Sequence, residues 1–150
     1  MLKQLYRFFN PRFQTIFLDY KVDFKPRYGF GKKANPYLLD IIQSNRSIFS
    51  NFNGKILKYS TQLQSIKKSN DEKESVNPTW NNGFLPGLDI AAIYTMLAEY
   101  KPKKYVEVGS GNSTKVVYKA KKDNNLPTEI ISIDPYPRAE IDHLADKIIR

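Results

Sequence analysis

One short segment constrains the fold of this chain more than any other. It has the residues of a strand, a glycine turn and a helix start, and reads Tyr105-Val106-Glu107-Val108-Gly109-Ser110-Gly111-Asn112-Ser113-Thr114. After the helix, a second apolar run from Glu129 to Ile133 ends at Asp134. This order of elements is typical of two parallel strands joined by a helix. Ligands bind outside the carboxyl ends of such strands. We therefore expect an α/β fold with a ligand site between the glycine turn and Asp134.

The composition excludes several classes of site. The 150 residues are 41% hydrophobic and 26% charged, as in ordinary globular domains. The chain has no cysteine and a single histidine, His143, which excludes disulfides, thiolate ligands and a multi-histidine metal centre. No apolar run approaches the ~20 residues of a membrane span, and the amino terminus lacks the apolar core of a signal peptide. We expect a cytoplasmic protein without a metal site.

Residues 1–34 are predicted to form a basic, aromatic arm. The net charge of the chain is +9, and this arm contributes strongly to it. Its basic residues are Lys3, Arg7, Arg12, Lys21, Lys25, Arg27, Lys32 and Lys33. Its aromatic residues are Tyr6, Phe8, Phe9, Phe13, Phe17, Tyr20, Phe24, Tyr28 and Phe30. Such a segment can bind single-stranded nucleic acid by stacking, or lie on an anionic membrane surface. The preferred interpretation is that the aromatic side chains pack on the rest of the protein.

Residues 35–77 are predicted to form a helical segment and a linker. Asn35 and Pro36 are typical of a helix cap and first helical position. Apolar residues then recur at helical spacing in two stretches, which predicts consecutive helices bent around residues 51–54. These helices are expected to cover one side of the sheet or to form a cap. Residues 67–77 are polar without periodicity, which predicts an exposed linker.

The loop from Pro78 to Gly87 combines turn residues with large side chains. It holds the only tryptophan of the chain, Trp80, beside the amides of Asn81 and Asn82. We expect this loop to be ordered against the core or against a ligand. The three residues are candidates for lining a pocket, although packing of the loop is the preferred interpretation. Asp89 is predicted to cap a helix over residues 90–100.

Three kinds of nucleotide site compete for the glycine turn. A phosphate-binding P-loop needs Gly-Lys before Ser or Thr, and the order at Ser113-Thr114-Lys115 excludes it. A dinucleotide fingerprint needs a third glycine where Thr114 stands. A carboxylate at Glu107 suits a ligand that carries an ammonium group and a sulfonium, whereas it would repel a pyrophosphate. Asp134 can accept hydrogen bonds from the hydroxyls of a ribose. The third kind of site is that of class I S-adenosylmethionine-dependent methyltransferases, whose first motif has an acidic residue two places before the first glycine. Glu107-Val108-Gly109-Ser110-Gly111 resembles that motif, and the resemblance favours S-adenosylmethionine as the cofactor.

Three blocks of sequence resemble a bacterial class I S-adenosylmethionine-dependent methyltransferase-like family. The blocks cover residues 80–89, Glu107 to Lys115, and residues 132–135 with 138–142. The resemblance implies the doubly wound, Rossmann-like methyltransferase sheet over residues 78–150. It also implies that the cofactor is wrapped by the turn, bound at its ribose by Asp134 and flanked at its methionine end by Glu107. The implied cofactor-binding residues are Glu107, Gly109, Ser110, Gly111, Asn112 and Asp134.

The same resemblance implies truncation, because such domains have seven strands and this chain has two and the start of a third at Ile148-Ile149. We therefore expect the amino-terminal part of a methyltransferase that acts on a small-molecule or saccharide acceptor. Two alternatives stay open: a non-catalytic fragment or interaction module that keeps half a cofactor site, and a nucleic-acid-binding protein that uses the basic arm. No catalytic base is assigned. His143 is expected at the surface of a helical stretch over residues 139–147.

Overall fold

The computed structural model describes residues 2–14, 16, 19–22, 25–29, 31–136 and 141–150. The chain forms two compact units, Met1–Ser44 and Asn45–Arg150. The first unit contains helices α1 (Leu2–Phe9) and α2 (Pro36–Ser44). Of the aromatic residues in the predicted arm, Phe17, Phe24 and Phe30 lie outside the described residues.

Helix α2 begins where the sequence predicts it. The Oδ1 of Asn35 accepts hydrogen bonds from the backbone N–H groups of Tyr37 at 3.0 Å and Leu38 at 3.2 Å. These bonds satisfy two of the N–H groups that have no partner within a helix. Asn35 is therefore confirmed as the cap of this helix.

The second unit is an α/β structure built on a small parallel sheet. Its elements are α3 (Arg46–Lys58), α4 (Ser60–Gln64), α5 (Gly87–Tyr100), β1 (Lys104–Val108), α6 (Asn112–Asp123), β2 (Glu129–Ile133), a 3₁₀ turn (Asp142–Leu144) and β3 (Lys147–Ile149). The strands lie in the order β1-β2-β3, and both pairs are parallel. Val108, Ile133 and Ile149 are paired across the sheet at the carboxyl ends of the strands. The predicted α/β class is confirmed, and this sheet is compatible with a Rossmann-like arrangement.

The core lies between helices α5 and α6 and one face of the sheet. Helix α5 buries Ile90, Tyr94 and Leu97, which recur at helical spacing. Val117 of α6 and Ile130 of β2 are fully buried in the same cluster. Successive strand residues point to opposite faces of a sheet, so Val106 and Val108 of β1 point away from this cluster.

Two valines of strand β1 are exposed on that second face of the sheet. Val106 is 55% exposed and Val108 is 87% exposed. A doubly wound sheet carries helices on both faces. Among the described residues of the second unit, packed helices cover one face, and the doubly wound arrangement stays a prediction.

The predicted consecutive helices are confirmed, but the bend predicted at residues 51–54 is wrong. Helix α3 continues through residues 51–54, and the chain leaves helical geometry instead at Asn45 and Tyr59. Tyr59 has φ −101° and ψ 17° between α3 and α4. Its hydroxyl donates to Glu99 at 3.0 Å, and its ring meets that of Tyr94 edge-on at 5.8 Å. Contacts with α5, up to 40 residues later in the chain, therefore accompany this break.

Two further predictions about helices are corrected by the structure. Helix α5 begins at Gly87, after Pro86, so Asp89 lies within its first turn and is not its cap. The predicted helix over residues 139–147 is a 3₁₀ turn followed by strand β3, among its described residues. Pairing with β2 explains the second difference, since Lys147 to Ile149 lie in register with Ile131 to Ile133.

Candidate cofactor site

The glycine turn joins the end of strand β1 to the start of helix α6. Gly109 has φ +84°, a conformation that glycine adopts without the steric cost of a side chain. Its N–H donates to the carbonyl of Ile133 at 2.8 Å, which holds the turn against the end of β2. A Cβ atom at Gly109 or at Gly111 would meet no atom within 4 Å. The backbone of the turn is therefore open to the close approach of a ligand.

Asp134 lies at the carboxyl end of β2 and is bonded to the turn. Its Oδ2 accepts two hydrogen bonds from Ser110, one from the N–H and one from the hydroxyl, each at 2.8 Å. Its Oδ1 accepts the N–H of Tyr136 at 3.1 Å. The bonds from Ser110 hold the pKa of Asp134 below its ordinary value, and burial opposes this effect. The structure thus brings the predicted carboxylate and the predicted turn together.

Glu107 is buried on the other side of the turn, among hydroxyl groups. Its Oε1 accepts the hydroxyl of Thr114 at 2.5 Å. Its Oε2 accepts the hydroxyls of Ser113 at 2.9 Å and Tyr105 at 3.3 Å. The Oγ1 of Thr114 in turn accepts the N–H of Gly111 at 2.9 Å. Glu107 therefore fixes the first turn of α6 and, through Thr114, the end of the glycine turn.

The environment of Glu107 acts on its pKa in opposite directions. Burial raises the pKa, and the hydrogen bonds from Thr114, Ser113 and Tyr105 lower it, with a net increase. Burial also raises the pKa of Tyr105 to about 12, and the charge of Glu107 adds to that effect. The phenol therefore stays protonated near neutral pH and donates a hydrogen bond to the carboxylate.

The loop that contains Trp80, Asn81 and Asn82 is ordered by its own contacts. The Oδ1 of Asn82 accepts the N–H of Leu85 at 2.7 Å, and its Nδ2 donates to the carbonyl of Thr79 at 2.8 Å. The Oδ1 of Asn81 accepts the N–H of Ser69 at 2.7 Å, which ties down the preceding linker.

Trp80 packs against the hydrophobic core and lies beside Gly87, where a Cβ atom would be 3.7 Å from its ring. Within residues 31–136, no hydrogen bond joins this loop to the glycine turn. The three pocket-lining candidates therefore share no hydrogen bond with the glycine turn among these residues. Their contacts support the expected packing of the loop.

A count of lone pairs tests whether a ribose fits at Asp134. Each carboxylate oxygen has two acceptor sites. Both sites of Oδ2 are used by Ser110, whereas Oδ1 keeps one beside the bond from Tyr136. A pair of ribose hydroxyls needs an acceptor site on each oxygen. Asp134 therefore fits a ribose once the hydroxyl of Ser110 leaves Oδ2. Rotation about the single side-chain torsion χ1 of Ser110 is enough to free this acceptor site.

Several residues of this network were not predicted from the sequence. Tyr105, Ser113 and Thr114 surround Glu107, and Arg150 donates from Nη1 to the main-chain oxygen of Asp134 at 2.8 Å. The alternation of side chains along a strand was a usable signal for Tyr105, because it lies on the same face of β1 as Glu107. No local pattern identifies Arg150, since it reaches Asp134 through the pairing of β3 with β2.

Other candidate residues lie away from the network or outside the description. His143 is exposed within the 3₁₀ turn, at the surface as expected. Arg138 and Glu140, which contribute to the resemblance, lie outside the described residues. Within the part of the chain that the structure describes, no cluster of three or more potential ligands could hold a metal ion. In that same part, no helix has the length and apolar character needed to cross a membrane.

The chain is similar over part of its length to an uncharacterized protein of Archaeoglobus fulgidus. The two sequences are 40% identical over 58 residues, which is 38% of this chain and 26% of the archaeal protein. The match thus spans about a quarter of the length of that relative. No protein-family model and no solved structure matches the chain.

Proposed function

We propose that the second unit binds S-adenosylmethionine and that the chain provides the amino-terminal part of a class I methyltransferase. One observation carries this proposal: the carboxylate of Asp134, at the end of β2, lies within hydrogen-bond distance of the open glycine turn at the end of β1. The strand order β3-β2-β1 is also that of the first half of a Rossmann sheet, in which ligands bind at these strand ends.

The hydrogen bonds of the turn favour this cofactor over a dinucleotide. A pyrophosphate at a helix start is bound by free backbone N–H groups. Here the N–H of Ser110 donates to Asp134, and the N–H of Gly111 donates to Thr114. Two amides that a pyrophosphate would use are therefore already bonded. The carboxylate of Glu107 would repel a phosphate further, whereas it attracts a cationic ligand.

The residues of the turn would bind the cofactor, and the reactive group would belong to the cofactor itself. S-Adenosylmethionine, when bound, supplies an electrophilic methyl group on a sulfonium. Asp134 would accept hydrogen bonds from the ribose hydroxyls, and Gly109 and Gly111 would allow the close approach of the backbone. Glu107 would keep the turn in shape through Thr114. The methyl acceptor, proposed as a small molecule or a saccharide, would be positioned by other parts of the enzyme.

Calorimetric titration of the purified chain with S-adenosylhomocysteine tests the proposal, with NAD titrated in parallel. The wild-type chain is expected to bind the first compound and not the second. Asp134→Ala is expected to weaken binding by roughly ten- to hundredfold, because hydrogen bonds to a charged group contribute about 1.5–3 kcal/mol. Asp71→Ala, which removes an exposed carboxylate from the linker, is the matched control and should bind as the wild type does.

Two outcomes would contradict the proposal. One is the absence of any heat of binding from a chain whose far-ultraviolet circular dichroism shows a folded α/β protein. The other is binding that Asp134→Ala and Asp71→Ala weaken equally, since the ligand would then not depend on the end of β2.

A further inference from the structure

Helix α1 of the first unit carries an exposed apolar face. Leu2, Leu5, Tyr6 and Phe9 follow the spacing i, i+3, i+4, i+7, which places them on one side of a helix. Their exposed fractions are 88%, 53%, 63% and 73%. A contiguous exposed apolar face is typical of surfaces that bind a protein or a membrane.

Basic residues lie beside the apolar face of α1, on a side that also carries the exposed ring of Phe8. Lys3 and Arg7 lie on the side of the helix away from the apolar face, and Arg12 follows after one turn. The guanidinium of Arg7 lies over the ring of Phe13, 5.7 Å from its centre. Residues 1–44 contain eight Lys and Arg residues and three Asp residues. The partner of the apolar face must therefore tolerate a dense positive charge beside it.

We propose that α1 lies in the interface of an anionic lipid membrane. Leu2, Leu5 and Phe9 would enter the boundary between headgroups and acyl chains, as in other interfacial amphipathic helices. Lys3 and Arg7 would remain at the level of the negatively charged headgroups. Eight residues of α-helix are about 12 Å long, so the helix lies on the membrane and does not cross it.

The geometry disfavours the other partners that a basic, aromatic segment can have. Binding of single-stranded nucleic acid relies on aromatic side chains on which successive bases stack. Two of the four residues on the apolar face of α1, Leu2 and Leu5, are aliphatic and offer no ring for stacking. A second copy of the chain would bring two basic segments together, and like charges repel. An anionic lipid surface satisfies the apolar face and the cations at once.

Partition of the full chain into lipid vesicles tests this proposal. Vesicles of phosphatidylcholine alone are compared with vesicles in which about a third of the lipid is phosphatidylglycerol, by co-sedimentation. We expect binding to the anionic vesicles that weakens as salt is added, because salt screens the charges. Leu5→Glu should abolish binding. Arg7→Gln should weaken it about fivefold, since each basic residue near an anionic surface contributes ~1 kcal/mol.

Matched control variants test whether binding depends on α1 itself or only on the number of exposed apolar and basic residues in the chain. Leu57→Glu changes a leucine of α3 that is 73% exposed, and Lys73→Gln removes an exposed cation of the linker. Both should bind anionic vesicles as the wild type does. All four substitutions are at exposed positions, so circular dichroism should show an unchanged fold. Equal partition into both kinds of vesicle would overturn the proposal, as would equal losses for Leu5→Glu and Leu57→Glu.

A single-stranded oligothymidylate is titrated into the same variants as a competing partner. The proposal predicts that any binding of this oligonucleotide is weaker than binding to anionic vesicles. Tighter binding to the oligonucleotide that Leu5→Glu leaves unchanged would overturn the proposal in favour of a nucleic-acid surface.

Discussion

The hydroxyl oxygen of Ser110 lies 2.8 Å from Oδ2 of Asp134 and occupies the acceptor site that a ribose hydroxyl would need. The N–H of Ser110 takes the second site on the same oxygen. The backbone bond helps to shape the turn, because it joins the strand ends of β1 and β2. The side-chain bond is a rotatable contact that a ligand can replace. Ser110 is therefore both a part of the turn and a competitor for its proposed ligand.

Removal of this competitor should increase the affinity for an adenosine-containing ligand. We expect Ser110→Ala to bind S-adenosylhomocysteine roughly two- to tenfold more tightly than the wild type. The reason is that one hydrogen bond, which contributes about 0.5–1.5 kcal/mol net, no longer has to be exchanged on binding. Calorimetric titration measures the change. Ser75→Ala, at an exposed position of the linker, is the matched control. Unchanged or weaker binding by Ser110→Ala would show that the hydroxyl does not compete.

The two glycines of the turn should respond differently to alanine. Gly109 has φ +84°, so Gly109→Ala should lower the free energy of unfolding by about 1–2 kcal/mol. Gly111 has φ 169°, an extended conformation that alanine adopts, and its Cβ would meet no atom within 4 Å. Gly111 is the N-cap of α6, where alanine is less favourable than glycine, so Gly111→Ala should lower stability by less than about 1 kcal/mol. It should weaken ligand binding, since the new methyl group enters the open space. Urea unfolding and calorimetry separate the two effects. Equal losses of stability would contradict this account.

The elements around the site could be predicted because their signals are local. Strand β1, helix α6 and strand β2 lie close to where apolar runs and glycines place them. Asp134 was predicted at a strand end because such ends follow directly from the strand boundaries. The doubly wound sheet stays a prediction, since the described helices of the second unit cover only one face of the sheet. The identity of the cofactor stays a prediction as well.

The partners of these residues could not be predicted, because they depend on packing between distant segments. The sequence presents Glu107 as an acid near a glycine turn, and the structure surrounds it with three hydroxyls. The break at Tyr59 accompanies its bond to Glu99, which lies on another helix. The start of a third strand at Ile148 and Ile149 was predicted, whereas the 3₁₀ turn before it, in place of a helix, was not.

Glu107 should make the fold less stable as pH rises. Its pKa in the folded protein is raised, so the folded state holds a proton that the unfolded state, with an ordinary pKa near ~4.3, has already released. The free energy of unfolding therefore decreases between the ordinary and the raised pKa, and is constant above both with respect to this group. We expect the difference in stability between the wild type and Glu107→Gln to fall across this interval. Unfolding in urea at a series of pH values measures it.

The control for this experiment must account for carboxylates that act in the opposite direction. Asp134 and Asp146 have lowered pKa values and lose stabilising charge as pH falls. They are present in both proteins, so their own titration cancels in the difference, apart from the charge of Asp134, which adds to the raised pKa of Glu107. Glu74→Gln, at an exposed position, provides the baseline for a glutamate replaced in the linker. A difference between the wild type and Glu107→Gln that does not vary with pH would show that the buried carboxylate does not titrate in this way.

Asp146 should stabilise the sheet mainly through one backbone hydrogen bond. Its Oδ2 accepts the N–H of Ile130 at 2.7 Å and the ammonium of Lys121 at 2.6 Å. The ion pair is partly exposed, and pairs of this kind contribute ~0–1 kcal/mol. The N–H belongs to a fully buried residue, and an unsatisfied buried donor costs about 1–3 kcal/mol.

Two substitutions separate these contributions. Asp146→Asn keeps an oxygen acceptor for Ile130 and removes only the charge, so it should lower the free energy of unfolding by less than about 1 kcal/mol. Asp146→Ala removes the acceptor as well and should cost about 1–3 kcal/mol more, because water reaches this N–H poorly. Lys121→Met removes the ion pair and keeps the hydrogen bond from the N–H of Ile130 to Asp146, so its stability should be close to that of Asp146→Asn. Urea unfolding at neutral pH measures all three. If the lysine variant is as unstable as Asp146→Ala, the ion pair with Lys121 of α6, and not the hydrogen bond to Ile130, provides most of the stabilisation.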